Sequence, residues 1–334
     1  MKQFLISLLS LLTFSACQHG LEYDATPTAN FEALWQIIDR QYCFFDYKAQ
    51  ETGLDWNEVH DRYAARLTPH MTRAQLFEVL CDMLSELRDG HVNLYYSADV
   101  GRYWSWHEDY PRNFDENLQD KYLGTDYKIG AGLYYRILED NIGYVAYNSF
   151  SSGIGEGNIS DMLYYLRACD GLILDIRGNG GGLLTYAERL ASHFTNERTL
   201  VGYMQHKTGA DHDAFSSPRA EYLNPAEGIR WQKRVVVLTN RECYSAANVF
   251  VRNMKCCPLV TTLGDQTGGG GGLPMSSELP IGWSVRFSAS PTLDRNYQQI
   301  EFGIQPDVPC SLDPSDQAKG IDTLIEAARQ FLHK

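Results

Sequence analysis

Residues 168–182 read Ala168-Cys169-Asp170-Gly171-Leu172-Ile173-Leu174-Asp175-Ile176-Arg177-Gly178-Asn179-Gly180-Gly181-Gly182. The run Leu172-Ile173-Leu174 is apolar at successive positions, the pattern of a strand buried on both faces in a parallel sheet. Three glycines in a row then weaken any regular element, so the backbone there must turn sharply or approach something closely. Helical spacing resumes at once with Leu183, Leu184, Ala187, Leu190 and Ala191. A strand, a glycine loop and a helix together present unpaired N–H groups at a helix N-terminus, where negative charge is stabilised.

The 334-residue chain is 44% hydrophobic and 21% charged, which describes an ordinary globular protein long enough for two domains or one large one. A net charge of −13 argues against nucleic acid as a partner, since phosphate binding needs a basic face. The uncharged segment Phe4–Ala16 follows Lys2 and is too short to span a bilayer. It ends in Phe14-Ser15-Ala16-Cys17, which resembles a lipobox, with Cys17 as the lipidated residue. An exported protein tethered to the cell envelope is expected, and Gln18 after the cysteine favours outer-membrane sorting in a Gram-negative host. Seven further cysteines lack zinc-like spacing, and no metal or cofactor is expected.

A polar tether covers residues 18–28, and amphipathic segments after Asn30, Asp55 and Thr72 predict three helices in an N-terminal helical domain over 29–90. Thr72 and Gln75 form a capping box. His91 follows Asp89-Gly90 at a helix-to-strand junction, a place where a histidine faces a cleft or fills a structural role. Trp104, Trp106 and His107 mark an aromatic loop that either lines a cleft or covers the core. The residues from 91 to 334 alternate strands and helices as an α/β layer structure does. Paired strands are expected over 133–138 and 142–147, a helix over 154–167, and strands over 234–239, 259–263, 283–288 and 299–302. A closing helix covers 319–332. Ser245 stands where the second long apolar strand turns into a helix, which suits an exposed nucleophile and equally an N-cap.

Five motifs in order carry a family resemblance: Asp89-Gly90-His91, the glycine loop after Ile176, Tyr244-Ser245-Ala246-Ala247-Asn248, Gly264-x-x-Thr267, and Gly303-Ile304-x-Pro306-Asp307. Together they resemble the tail-specific, or C-terminal processing, serine peptidases. The resemblance implies a crotonase-like α/β core carrying Ser245 as nucleophile. The lysine of the serine-lysine branch falls at Gly270, so the chain is similar instead to the tricorn-core-like branch, whose histidine falls at His91. An orienting glutamate falls at Glu301, one residue closer to Gly303 than the pattern has it, and Gly90 replaces a serine beside the histidine. The N–H groups of Gly180, Gly181 and Ala246 would form the oxyanion-binding site. About half the length of a PDZ module separates His91 from Leu133, so none is expected. The chain therefore reads as an exported serine endopeptidase acting on peptides or unfolded proteins, with a non-catalytic peptide- or ligand-binding lipoprotein as the second reading.

Overall fold

A computed structural model of the protein describes residues 25–103 and 110–334. Cys17 and the aromatic stretch around Trp104, Trp106 and His107 lie outside the described residues.

Four helices open the chain rather than three: α1 (Pro27–Gln41), α2 (Phe45–Thr52), α3 (Trp56–Ala64) and α4 (Arg73–Ser85). The first begins earlier than expected, because Thr26 caps it and Pro27 occupies its first turn, where a missing N–H costs nothing. Asn30 is buried instead, accepting from the Ile281 N–H at 2.9 Å. Asp55 caps α3, and Thr72 with Gln75 forms the expected box on α4. The extra helix α2 has a polar sequence with Lys48 buried on it, and that burial depends on a partner far along the chain.

The stretch after His91 forms β1 (Asn93–Tyr96), β2 (Asp99–Arg102), α5 (Glu116–Leu123) and β3 (Lys128–Gly130). Next come the hairpin β4 (Leu133–Ile137) and β5 (Ile142–Ala146), α6 (Glu156–Leu166) and β6 (Gly171–Asp175). The glycine loop leads into α7 (Leu184–Ser192), then the hairpin β7 (Thr199–Met204) and β8 (Arg219–Leu223), β9 (Val235–Thr239), α8 (Ala246–Met254) and β10 (Val260–Gly264). The remainder is β11 (Gly272–Glu278), β12 (Ser284–Asp294), β13 (Val308–Pro309), α9 (Pro314–Ala318) and α10 (Thr323–Leu332). The strand expected over 299–302 is irregular chain with one bridge, Gln299 to Leu293. Its neighbour at 283–288 is longer than expected and continues to Asp294.

Two sheets result. The central one runs β13-β10-β9-β6-β5-β4-β3, with β5, β6, β9, β10 and β13 parallel. Its middle strands β5, β6 and β9 are buried throughout, which is why their sequences are continuously apolar. Helices α6, α7 and α8 pack on one face and α10 on the other. The second sheet runs β2-β1-β12-β7-β8, with β11 paired to β12. Helices α1, α3 and α4 share one apolar cluster with β1 and β12, built on Phe31, Leu34, Leu80, Leu94, Val285 and Phe287.

Parallel order puts the C-terminal ends of β6, β9 and β10 side by side, and their loops are tied together there. The Tyr244 N–H donates to the Asn179 carbonyl at 3.1 Å, Gly268 to Cys243 at 2.9 Å and Ser245 to Gly269 at 2.8 Å. The glycine loop is anchored from below by Arg177, fully buried between Asp175 at 2.8 Å and Asp322 at 2.9 Å. Removing one member of a buried ion pair strands the other charge and typically costs about 3–5 kcal/mol. Arg177→Met is therefore expected to lower unfolding free energy by about that amount in urea titration. An unchanged midpoint would show that the loop does not depend on this anchor.

Candidate active site

Ser245 and His91 are 154 residues apart in sequence, and the Ser245 hydroxyl lies 2.9 Å from His91 Nε2. Although Ser245 occupies the N-cap position of α8, its side chain makes no capping hydrogen bond. Its backbone sits at φ 57°, ψ −118°, a region that a residue with a Cβ occupies only when its surroundings impose it. The bond from its N–H to Gly269 and the close approach of Gly181 supply that constraint. A Cβ added at Gly181 would lie 2.6 Å from the Tyr244 carbonyl oxygen and 2.8 Å from Ser245 Cβ, so only glycine fits beneath the serine.

The His91 ring is buried and packs against Tyr244, with ring centroids 5.1 Å apart. Its backbone N–H donates to Asp89 Oδ1 at 2.8 Å, a local turn that sets the direction of the ring. His91 Nδ1 is buried and has no hydrogen-bond partner among the described residues. For Nε2 to accept the serine proton, the neutral ring must carry its hydrogen on Nδ1. Burial lowers the His91 pKa, and Asp89 opposes this while Arg286 adds to it.

Glu301 lies close by but is engaged elsewhere. Its carboxylate accepts from Lys48 Nζ at 3.3 Å and from the Gly271 N–H at 2.9 Å, and no hydrogen bond joins it to His91. Burial, and then the neighbouring Asp89 charge, push Glu301 up to about 8 against the pull of Lys48. The carboxylate that acts on the histidine is Asp89, which also accepts from Tyr42 at 3.1 Å and Ser288 at 2.8 Å. Lys48, Asp89 and these hydroxyls were not among the residues expected from sequence. The Asp-x-His spacing was the available signal for Asp89.

Of the three expected anion donors, Gly181 already donates to Asn179 Oδ1 at 2.9 Å. That corrects its role to one of close packing. The N–H groups of Gly180 and Ala246 have no protein acceptor among the described residues. Gly270 is packed against Tyr244, where an added Cβ would come within 2.5 Å of the ring, so a lysine side chain has no way out from this position. A largely apolar cavity of about 310 Å³ opens from Ser245, walled by Leu183, Leu184, Gly271, Leu273 and Arg286. Among the described residues no group of histidine, cysteine or acidic side chains could hold a metal ion.

Known proteins share this family and fold. The family model for peptidase family S41 matches residues 141–310, just over half of the chain, and the model of the tricorn protease C1 domain matches residues 23–85. The chain belongs to peptidase family S41. A curated relative, the carboxy-terminal processing protease CtpA of Bacillus subtilis, is 26% identical over 54% of this chain and 37% of its own length. The chain thus spans little more than a third of the curated relatives it matches. The crystal structure of a candidate peptidase from Parabacteroides merdae is 52% identical with a TM-score of 0.88, over 92% of this chain and 97% of that one. Mature CPAF complexed with lactacystin shares the fold at 11% identity, with a TM-score of 0.71 over 92% of this chain and 97% of that one. Where a PDZ module would be inserted, the described residues between His91 and Leu133 form β1, β2, α5 and β3.

The electrostatics fix the pH response. Because burial lowers the His91 pKa, its ring is neutral over a wider range than that of an exposed histidine. The rate of covalent labelling of Ser245 should rise with pH through an inflection below 6.5 and be level at neutral pH. Asp89→Asn removes the charge that favours the protonated ring, so the inflection should move to still lower pH. Movement to higher pH in that variant would contradict the placement of Asp89.

Proposed function

We propose that this protein is a serine endopeptidase in which Ser245 is the nucleophile and His91 the general base. The observation that carries this reading is the Ser245–His91 hydrogen bond, made by a serine at an N-cap position whose side chain reaches the histidine instead of capping the helix. His91 removes the hydroxyl proton as Ser245 Oγ attacks the scissile carbonyl. The carbonyl oxygen becomes an oxyanion held by the N–H groups of Gly180 and Ala246, each such donor contributing about 3 kcal/mol to the transition state. His91 then gives its proton to the leaving amine, and a water molecule activated by the same nitrogen releases the acyl group. Glu301 acts as a positioning residue, accepting hydrogen bonds from the Gly271 N–H at the wall of the apolar cavity and from Lys48. A substrate in extended form fits beside β11, which pairs only with β12 among the described residues and exposes Leu273 and Met275.

The site has a base for its serine without any lysine, and this favours the enzyme over a binding protein of the same fold. Labelling with a fluorophosphonate probe, followed by hydrolysis of unfolded casein, tests the assignment. Ser245→Ala should abolish labelling, and His91→Ala should slow both reactions by roughly 100- to 10,000-fold. Equal labelling of all three proteins would remove the mechanism.

Attachment to a membrane is part of the same reading. No helix among the described residues is long and apolar enough to cross a bilayer. The leader ending in Cys17 supports export with a lipid on that cysteine. In a host that processes lipoproteins, wild-type protein should partition with membranes and Cys17→Ala should not; identical partitioning would exclude the anchor.

A further inference from the structure

Lysine is almost never fully buried without partners, and Lys48 on α2 is 1% exposed. Its ammonium donates to the Arg88 carbonyl at 3.1 Å and to Glu301 Oε1 at 3.3 Å, and it lies 4.4 Å from the centre of the Phe302 ring. Three N–H groups thus have three partners. A buried ion pair is a weak source of stability, because desolvation cancels much of the attraction and apolar side chains of the same volume often serve as well. The reason for this one lies in what its partners are attached to.

Each partner leads to one half of the Ser245–His91 pair. Arg88 follows α4 with its backbone in the left-handed region, at φ 46°, and two residues separate it from His91. Asp89 carries that turn forward: its carboxylate accepts from the His91 N–H at 2.8 Å and its carbonyl from the Val92 N–H at 3.0 Å. On the other side, Glu301 is bound to the loop and the helix that carry Ser245. Its carbonyl accepts from the Gly270 N–H at 3.0 Å and Oε2 from the Gly271 N–H at 2.9 Å, while the neighbouring Ile300 carbonyl accepts from Asn248 on α8 at 2.9 Å. The Gly269 carbonyl in the same loop accepts from the Ser245 N–H at 2.8 Å. These contacts close a ring that runs from Lys48 through the turn at 88–91 to the Ser245 hydroxyl, and back through residues 269–271 and Glu301. A second tie crosses the same gap, from the Tyr244 hydroxyl to Asp89 Oδ1 at 3.3 Å, and it acts on a side chain instead of the main chain.

We propose that Lys48 is a positioning residue for peptide hydrolysis, a buried clamp that sets the Ser245–His91 separation by holding the Arg88 carbonyl against Glu301. The inference rests on the peptidase reading above and adds a residue that touches neither the reacting atoms nor the apolar cavity beside Ser245. A proton passes from serine to histidine only across a short hydrogen bond. An error of one ångström in such a pair costs about 100-fold in rate while leaving the packing around it intact. The clamp works at that scale, because its two hydrogen bonds fix main-chain and side-chain atoms on opposite sides of the pair.

The test is steady-state hydrolysis of an internally quenched peptide that spans a casein cleavage site, with active sites counted by exhaustive fluorophosphonate labelling. Lys48→Met should keep the wild-type fraction of labelled protein and a KM within about twofold, and should lower kcat per labelled site by about 100-fold. Without the ammonium, Glu301, already pushed up to about 8 by burial, should take a proton and leave no stranded charge. The double variant Lys48→Met/Glu301→Gln removes both charges and should show the same loss of kcat; it carries the test should the single variant fail to fold. Wild-type kcat per site in either folded variant overturns the clamp and leaves the peptidase reading intact. A loss confined to KM or to the number of active sites does the same, since that is what a merely structural lysine would give. A wild-type protein that cuts nothing and takes no fluorophosphonate removes both.

Discussion

The pairing of Arg177 with Asp175 and Asp322 is the interaction on which the remainder of the site depends. Arg177 leaves the end of β6 pointing inward, and its two carboxylates come from β6 itself and from the turn before α10. A loop rich in glycine would otherwise sample many conformations. Held from beneath, it offers Asn179 as a fixed acceptor for the Tyr244 N–H and puts Gly181 directly under Ser245. The strained backbone of the serine is thus imposed by a chain of contacts that begins at a buried charge.

Around the histidine the charges divide into two sets. Asp89 is held by Tyr42, Ser288 and the backbone of His91, and its pKa is lowered, with burial opposed by Lys48, His91 and these hydrogen bonds. Glu301 is pushed the other way by the same burial and by Asp89 itself. Two carboxylates sharing one lysine cannot both be charged without penalty. The stronger acid sits beside His91, and the weaker one holds the wall of the cavity.

The central sheet was legible because β6 and β9 are buried on both faces and therefore apolar at every position. The candidate residues on its loops, Ser245, Gly180 and Ala246, stand at strand-to-helix transitions that the sequence showed, and the family resemblance pointed to their roles. The second sheet was harder to read. β8 has the sequence Arg-Ala-Glu-Tyr-Leu, most of it partly exposed, and its place comes from β7, with no apolar rhythm of its own. Helix α2 was hidden for a related reason: Lys48 looks like a surface residue until Glu301, 253 residues later, is seen to receive it. Glu301 itself was found by motif, but its partner was not, and local spacing carries no record of contacts made across the fold.

Ser245 and His91 belong to different bodies of packed side chains. Ser245 is flanked by Cys243 and Ala246, in the cluster of the central sheet and its helices, whereas Val92 beside His91 belongs to the cluster of the N-terminal helices and β12. A hydrogen bond of 2.9 Å spans that seam. Under the proposed mechanism, catalytic rate is therefore a gauge of how the two bodies are seated, more sensitive than melting temperature. A displacement of one ångström at the seam leaves both interiors intact and still disconnects the proton from its acceptor.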